Sequence, residues 1–398
     1  MKVCFAVLHY DPAYTEPQTY LARVPIHREI PRALAAFGHQ VDVVHFFPTD
    51  IDFTEDGVAY RFVAPGRIAR PISQVAGHLL HRDRVLYEPA TRAIRRIRAL
   101  QPDLIHFHGT TLNWNLFFLF LALGNRAPPI VLHYHGGYPA RNRLSRRIQR
   151  LNFERAARLL FTTRAHAQPF IDAGVLDSFD RVVELMETSS TFRVRTRAEA
   201  RRETEMTGNP VFLWVGRLHP TKDPLTALRG FEQILAAWPD AQLYLYYLTD
   251  DLLPELQAFV ARRPPLARSV HFRGRAPFER METIYNSADF LLQASRREFS
   301  GCAVLEAMAC GVIPVVTDIP SFRAMTDEGR YGVLFPPGDA ETLARGVLAV
   351  SRADIPSRSA AVRGRFERAL SFPALARRLE AVYETCRAGL LPAVSGGG

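Results

Sequence analysis

The chain has 398 residues, 47% hydrophobic and 23% charged, which suits a folded protein with room for two domains of about 150 to 200 residues. Its formal net charge is +10, yet of its 50 basic residues only Lys2 and Lys222 are lysines; the surplus is an arginine habit that excludes nothing and does not by itself indicate nucleic acid. Four cysteines (Cys4, Cys302, Cys310, Cys386) show no metal-ligand spacing and fit a reduced, cytoplasmic protein, and no apolar run reaches the roughly 18 residues of a membrane span.

KVCFAVLHY (Lys2 to Tyr10) reads as a buried first strand rather than a signal peptide. Helical periodicity from about Val24 to Phe37 stops at Gly38, and QVDVVHFF follows as a strand, which completes a βαβ unit. AYRFVAP has strand character, and Ala76 to Leu100 carries helical, arginine-rich periodicity. DLIHFHG is a strand, Asn113 to Leu123 an apolar helix, PIVLHYHGG a strand, and Arg141 to Leu160 a basic amphipathic helix. LLFTTRAHAQPF and RVVELMETSSTF close the first half. Residues 195–209 are charged and weakly apolar, as in a linker. Strands and helices then alternate again from VFLWVGRL through Pro224 to Ala237, AQLYLYYL, SVHFRGR, PFERMETIYNSAD, FLLQAS and VIPVVTD to GVLFPPG. The expected class is α/β with two doubly wound parallel domains, 1–194 and 210–371. The helix at about 372–390 is expected to join the first domain, and the final AVSGGG to be disordered. Two such domains facing each other would leave a cleft for a nucleotide on one side and an acceptor on the other.

VGRLHPTKDP places Gly216, Arg217 and Lys222 just past a strand end. A forked guanidinium and a compact ammonium suit a diphosphate, although solvated loop charges would read the same way. The stretch EFSGCAVLEAMACGVIPVVT runs from Glu298 through a small-residue turn into a helix holding Glu306. Eight residues of helix would span about 12 Å. That exceeds the roughly 5 to 9.5 Å of a glycosidase acid/base pair, so the two glutamates suit different parts of one elongated ligand. HFH and HYHGG put His106 with His108, and His133 with His135, on one strand face each. No carboxylate or cysteine stands at matching spacing, and imidazole hydrogen bonding is favoured over zinc. No G-x-G-x-x-G follows any expected strand, which disfavours a dinucleotide oxidoreductase.

Together RALAAFGHQVDVV, PDLIHFHG, IVLHYHGG, VGRLHPTKDP, VHFRGR, YNSADFLLQAS, EFSGCAVLEAMACGVIPVV and GVLFPPGDAETLA resemble the retaining glycosyltransferases of the GT-B fold, family 4, across nearly the whole chain. The resemblance implies two facing Rossmann-like domains with an interdomain cleft and a nucleotide-diphosphate sugar as donor. It assigns Arg217 and Lys222 to the pyrophosphate, Glu306 to the ribose hydroxyls and Glu298 to the donor sugar, with His135 near the reacting centre. Backbone groups of Gly216, Phe299, Ser300 and Gly301 would meet sugar or phosphate, and Arg273, Gly274 and Arg275 would face the base. His108, His133, Gly136 and Tyr10 fall on the acceptor side. No metal and no further cofactor are implied, because fixed cations stabilise the departing diphosphate. Expected partners are the donor and a hydroxyl acceptor, with no nucleic acid and with peripheral contact between the basic helix and an anionic inner membrane face allowed. The chain departs from the family pattern in two places: HYDPAYTEPQTY lacks the glycine pair expected after the first strand, and Glu298-Phe299-Ser300-Gly301 stands where E-G-F-G is usual. The first departure keeps open an alternative, a non-catalytic module that binds a nucleotide sugar. Donor sugar, base, acceptor and oligomeric state are not encoded legibly.

Overall fold

In a computed structural model that describes residues 1–9, 13–66, 90–110 and 113–389, the chain forms two compact units. One is Met1–Thr188 together with the segment from Phe372; the other is Ser189–Ser371. Tyr10, the part of the Ala76 to Leu100 helix before residue 90, and the AVSGGG tail lie outside the described residues.

The first unit is built on β1 (Lys2–Val7), β2 (Gln40–Phe46), β3 (Ile51–Glu55), β4 (Val58–Val63), β5 (Leu104–His108), β6 (Ile130–His133), β7 (Arg158–Phe161) and β8 (Val182–Glu184). They lie in the order β3-β4-β2-β1-β5-β6-β7-β8, parallel except for β3. Val3 to Val7 are fully buried because a central parallel strand is covered on both faces, which is why the run is continuously apolar. β3 and β4 form a hairpin through Asp56-Gly57, both at positive φ (49° and 80°), the conformation that a two-residue turn between twisted strands requires. The helix expected over about Val24 to Phe37 runs Ile26–Ala36, and a separate short helix, Pro17–Arg23, precedes it. Helix Phe372–Arg387 packs on Ile26–Ala36 and buries Leu375, Leu379 and Tyr383. Strand order reverses between β1 and β5, so their carboxyl ends open a crevice within this unit.

The second unit carries β9 (Val211–Gly216), β10 (Gln242–Tyr247), β11 (Val270–Gly274), β12 (Phe290–Gln293), β13 (Ile313–Thr317) and β14 (Val333–Phe335) in the order β11-β10-β9-β12-β13-β14, all parallel. β9 and β12 pair through Phe212 with Phe290 and Leu213 with Leu291, and the two phenylalanine rings stack 5.0 Å apart. The order reverses here, so the loops leaving these two strands are neighbours. Residues 195–209, expected to be a linker, instead belong to this unit. Helix Arg197–Thr204 places Arg201 2.6 Å and Arg197 3.3 Å from the carboxylate of Asp289, which also accepts from the Val211 backbone N–H. Its charges look solvated in sequence because the acid that answers them lies almost ninety residues away.

Candidate functional site

The loop after β9 holds Arg217, exposed, and a short 3-10 turn at Pro220–Lys222. The loop after β12 runs to Gly301 and the helix Cys302–Ala309. Three contacts fix the loops to one another: the Gln293 side-chain amide donates to the Val215 carbonyl at 2.6 Å, the Arg296 N–H donates to the Thr221 carbonyl at 2.9 Å, and the Arg296 guanidinium meets Asp223 at 3.0 Å. This framework brings Lys222 and Glu298 together in a direct ion pair, with both side chains largely shielded from water. The sequence suggested each residue separately but not their contact, since they stand 76 positions apart. Ser321 Oγ donates to the Glu298 carbonyl at 3.1 Å and holds the loop from its other side.

Gly301 sits at φ 70° as the residue before the helix, and a Cβ there would meet the Phe322 ring at 2.5 Å. The position admits only glycine, and it lets the backbone of Ser300 and Gly301 approach a ligand closely. Beyond it, the first N–H groups of the helix have no carbonyl within the helix to bond. Glu306, one turn further on, is embedded among Val304, Leu305, Ala307 and Met308. Loss of water pushes its carboxyl up to about 7, and the Tyr285 hydroxyl offsets this in part. Tyr285, from helix Phe278–Asn286, is fully buried, and neither sequence pattern nor spacing points to it as a neighbour of Glu306.

Arg273 and Arg275 are exposed at the end of β11, with Gly274 between them at φ 71°. The Arg273 guanidinium lies 5.3 Å from the Tyr244 ring centre, and Tyr244 stacks on His271. β11 is two strands from β9, about 10 Å across the sheet. The segment 273–275 therefore stands at one side of the Arg217–Lys222 loop, and Glu298 to Gly301 at the other. A Cβ on Gly216, the last residue of β9, would meet the buried Trp214 ring at 3.2 Å.

In the first unit, His106 and His108 on β5 and His133 and His135 at the end of β6 share one sheet face, as the alternation of side chains dictates. That face also holds His27 from the helix and His45 from β2, which sequence spacing does not connect with them. The rings bond to one another: His106 to His133 at 3.1 Å, His108 to His135 at 2.8 Å and His27 to His108 at 3.3 Å. The Tyr383 hydroxyl meets His106 and the Tyr20 hydroxyl meets His27, each at 2.5 Å. Burial holds all six imidazoles low, His45 and His133 to about 3 and the other four well below the ordinary histidine value. They are neutral at physiological pH. His108 and His133, expected toward an acceptor, are covered completely and bonded to other rings, so neither presents an atom to solvent. His135 is partly exposed beside Gly136, with Glu187 3.8 Å from its ring. One nitrogen each of His106, His108 and His133 lies within 4.8 Å of the others. Tetrahedral zinc wants ligand nitrogens about 3.4 Å apart, and this triad is looser than that.

Two family profiles match the chain. One described as "Glycosyltransferase Family 4" covers residues 28–182, and one described as "Glycosyl transferases group 1" covers residues 209–352. Among curated proteins, the GDP-mannose:cellobiosyl-diphosphopolyprenol alpha-mannosyltransferase of Xanthomonas oryzae is 25% identical over 63% of this chain, and the D-inositol 3-phosphate glycosyltransferase of Thermobispora bispora is 28% identical over 48%. The chain spans 64% of the length of the first and 47% of the second. Among solved structures, sucrose-phosphate synthase from Thermosynechococcus elongatus superposes with a TM-score of 0.67 at 19% identity, covering 97% of this chain and 99% of that one. Anabaena HepE, in complex with UDP and glucose, gives 0.66 at 14% identity over 97% of this chain and 100% of its own. These likenesses establish a GT-B fold.

Proposed function

The chain belongs to glycosyltransferase family 4, and from that membership we propose that it moves a sugar from a nucleotide-diphosphate sugar to a hydroxyl acceptor, with retention at the anomeric carbon and without a metal. The observation that carries this reading is the Lys222–Glu298 pair, beside Arg217 and above Gly301, at the switch point of the second sheet. A pyrophosphate entering here would draw Lys222 from Glu298, whose carboxylate would then meet sugar hydroxyls. Arg217 and Lys222 then stabilise charge as it develops on the departing diphosphate, which is what an oxocarbenium-like transfer requires. Glu306 binds the ribose hydroxyls in its ionised form, and the segment 273–275 meets the base. The diphosphate oxygen takes the acceptor's proton, so no protein base is assigned.

Because a GDP-mannose-dependent enzyme is among the relatives and a UDP complex among the structural neighbours, UDP- and GDP-sugars head the donors to be screened by thermal shift, with ADP- and TDP-sugars behind them. The same relatives' names make lipid-linked diphosphosaccharides and phosphorylated polyols the first acceptors to try. Transfer or donor hydrolysis is then measured in Lys222→Ala and Glu298→Ala. Both are expected to lose at least a hundredfold in kcat; activity near wild type in the two variants refutes the assignment. The glycine-free HYDPAYTEPQTY segment favours a second reading, a binding module without transfer. It gains if calorimetry finds a tight nucleotide sugar and no acceptor yields product.

A further inference from the structure

At the outer edge of the first unit, a cavity of about 680 Å³ lies between the β3–β4 hairpin and helix Thr91–Leu100, a size that suits a small molecule. β3 is three strands from β1, about 14 Å across the sheet, which sets the cavity apart from the crevice between β1 and β5.

The helix lines it with Arg92, Arg95 and Arg96, at positions i, i+3 and i+4. Like charges at that spacing oppose one another unless acids answer them. Arg92 meets Asp50 at 2.9 Å and the Ala64 carbonyl at 3.1 Å, both through Nη1, and no described residue accepts from its Nε or Nη2. Arg96 pairs with Asp52, which also receives Arg61 from β4 at 3.4 Å. Arg95 is exposed, and among the described residues it has no partner. The unspent donors of Arg92 and Arg95 thus stand three residues apart, about 4.5 Å along the helix, where two guanidiniums can share one phosphate.

The remaining wall suits a different part of a ligand. Asp52 takes both arginines on Oδ2, and no described residue donates to its Oδ1, which leaves an acceptor for a hydroxyl. Ile51, exposed by 39%, and Val63 supply aliphatic surface. A bare phosphate would use neither and would be repelled by the carboxylates. A nucleoside phosphate is also a poorer occupant, because Phe62 is 1% exposed and offers a base no ring face.

We propose that this cavity binds a phosphorylated monosaccharide, with its phosphate on Arg92 and Arg95, a hydroxyl on Asp52 and its C–H face on Ile51 and Val63. Every residue involved lies in the first unit, so the assignment does not rest on the donor-site reading.

The test is calorimetry on the full chain with glucose 6-phosphate, mannose 6-phosphate and glucose 1-phosphate, against inorganic phosphate, glucose and adenosine monophosphate. At least one sugar phosphate is expected to bind about tenfold tighter than inorganic phosphate or the nucleotide, and glucose to give no heat. Arg95→Gln should weaken that binding about 10- to 100-fold at an unchanged melting temperature. Asp52→Asn should narrow the gap between sugar phosphate and phosphate. Lys222→Ala, in the other unit, should bind the sugar phosphate as wild type does. The proposal falls if no sugar phosphate gives heat at millimolar concentration, if inorganic phosphate or the nucleotide binds as tightly, or if Arg95→Gln and Asp52→Asn behave as wild type. Loss of binding in Lys222→Ala would also overturn it and move the ligand to the donor loop.

Discussion

Glu306→Gln isolates the buried carboxyl. In the folded chain this group titrates near 7 against an ordinary 4.5, because the surrounding helix strips its water. Its folded value is raised, so the native state holds the proton more tightly than the unfolded chain does. Stability from this source is complete below about pH 4.5 and is lost as pH rises through about 7. At about 1.4 kcal/mol for each pH unit between the two values, the loss amounts to about 3 kcal/mol. Glutamine keeps the shape and cannot ionise. Wild type and variant should therefore unfold alike in urea at pH 4.5, with the variant pulling ahead by about 3 kcal/mol at pH 8. For a unit of this size that is about 6 to 12 °C in melting temperature. Taking the difference between the two proteins cancels every other titrating group. A second readout ties the group to function: if ribose hydroxyls bind the carboxylate, nucleotide binding at pH 6 must release a proton, and its heat will depend on the buffer's ionisation enthalpy. A stability difference flat between pH 4.5 and 8 would show that the carboxyl ionises normally and that the reasoning is wrong.

Gly301→Ala forces a Cβ to within 2.5 Å of the Phe322 ring at a positive φ, so a loss of about 1 to 3 kcal/mol is expected by urea titration, with donor binding impaired beyond the loss of stability. Acid should weaken the first unit through its histidines. Their folded values are depressed, so their contribution stands above about pH 6.5 and falls away as pH drops toward 3; His45 and His133 should each cost about 2 kcal/mol at pH 5. His45→Gln with His133→Gln should flatten the acid limb of a stability profile, and an unchanged limb would rule these rings out.

The alternation of strand and helix was legible because parallel strands covered on both faces must be continuously apolar, as KVCFAV and FLLQ are. The turns were less so. Asp56-Gly57 is a standard hairpin signal, but β3 before it is a short, partly exposed strand without the continuous apolar run that marks the buried ones. The helix of residues 197–204 reads as a linker in sequence because its arginines find Asp289 only in three dimensions. In the site, the apolar surroundings of Glu306 could be read from its neighbours in sequence, whereas Tyr285 beside it could not. Period-two spacing placed four histidines on a shared face. His27, His45 and Tyr383 join them from elements whose packing no local pattern reports.

The helix Phe372–Arg387 also bears on the order of synthesis. The ribosome delivers the first 188 residues, then the whole of Ser189–Ser371, and only afterwards the helix whose Tyr383 hydroxyl bonds His106. At about 5 to 20 residues per second that interval lasts roughly 10 to 40 s. Throughout it, the groove that Leu375 and Leu379 will fill is open, beside a row of uncharged imidazoles. The second unit can therefore be native while the first still waits for its last helix, and a nascent chain arrested at Ser371 should be cut by protease within Met1–Thr188 and spared within Ser189–Ser371.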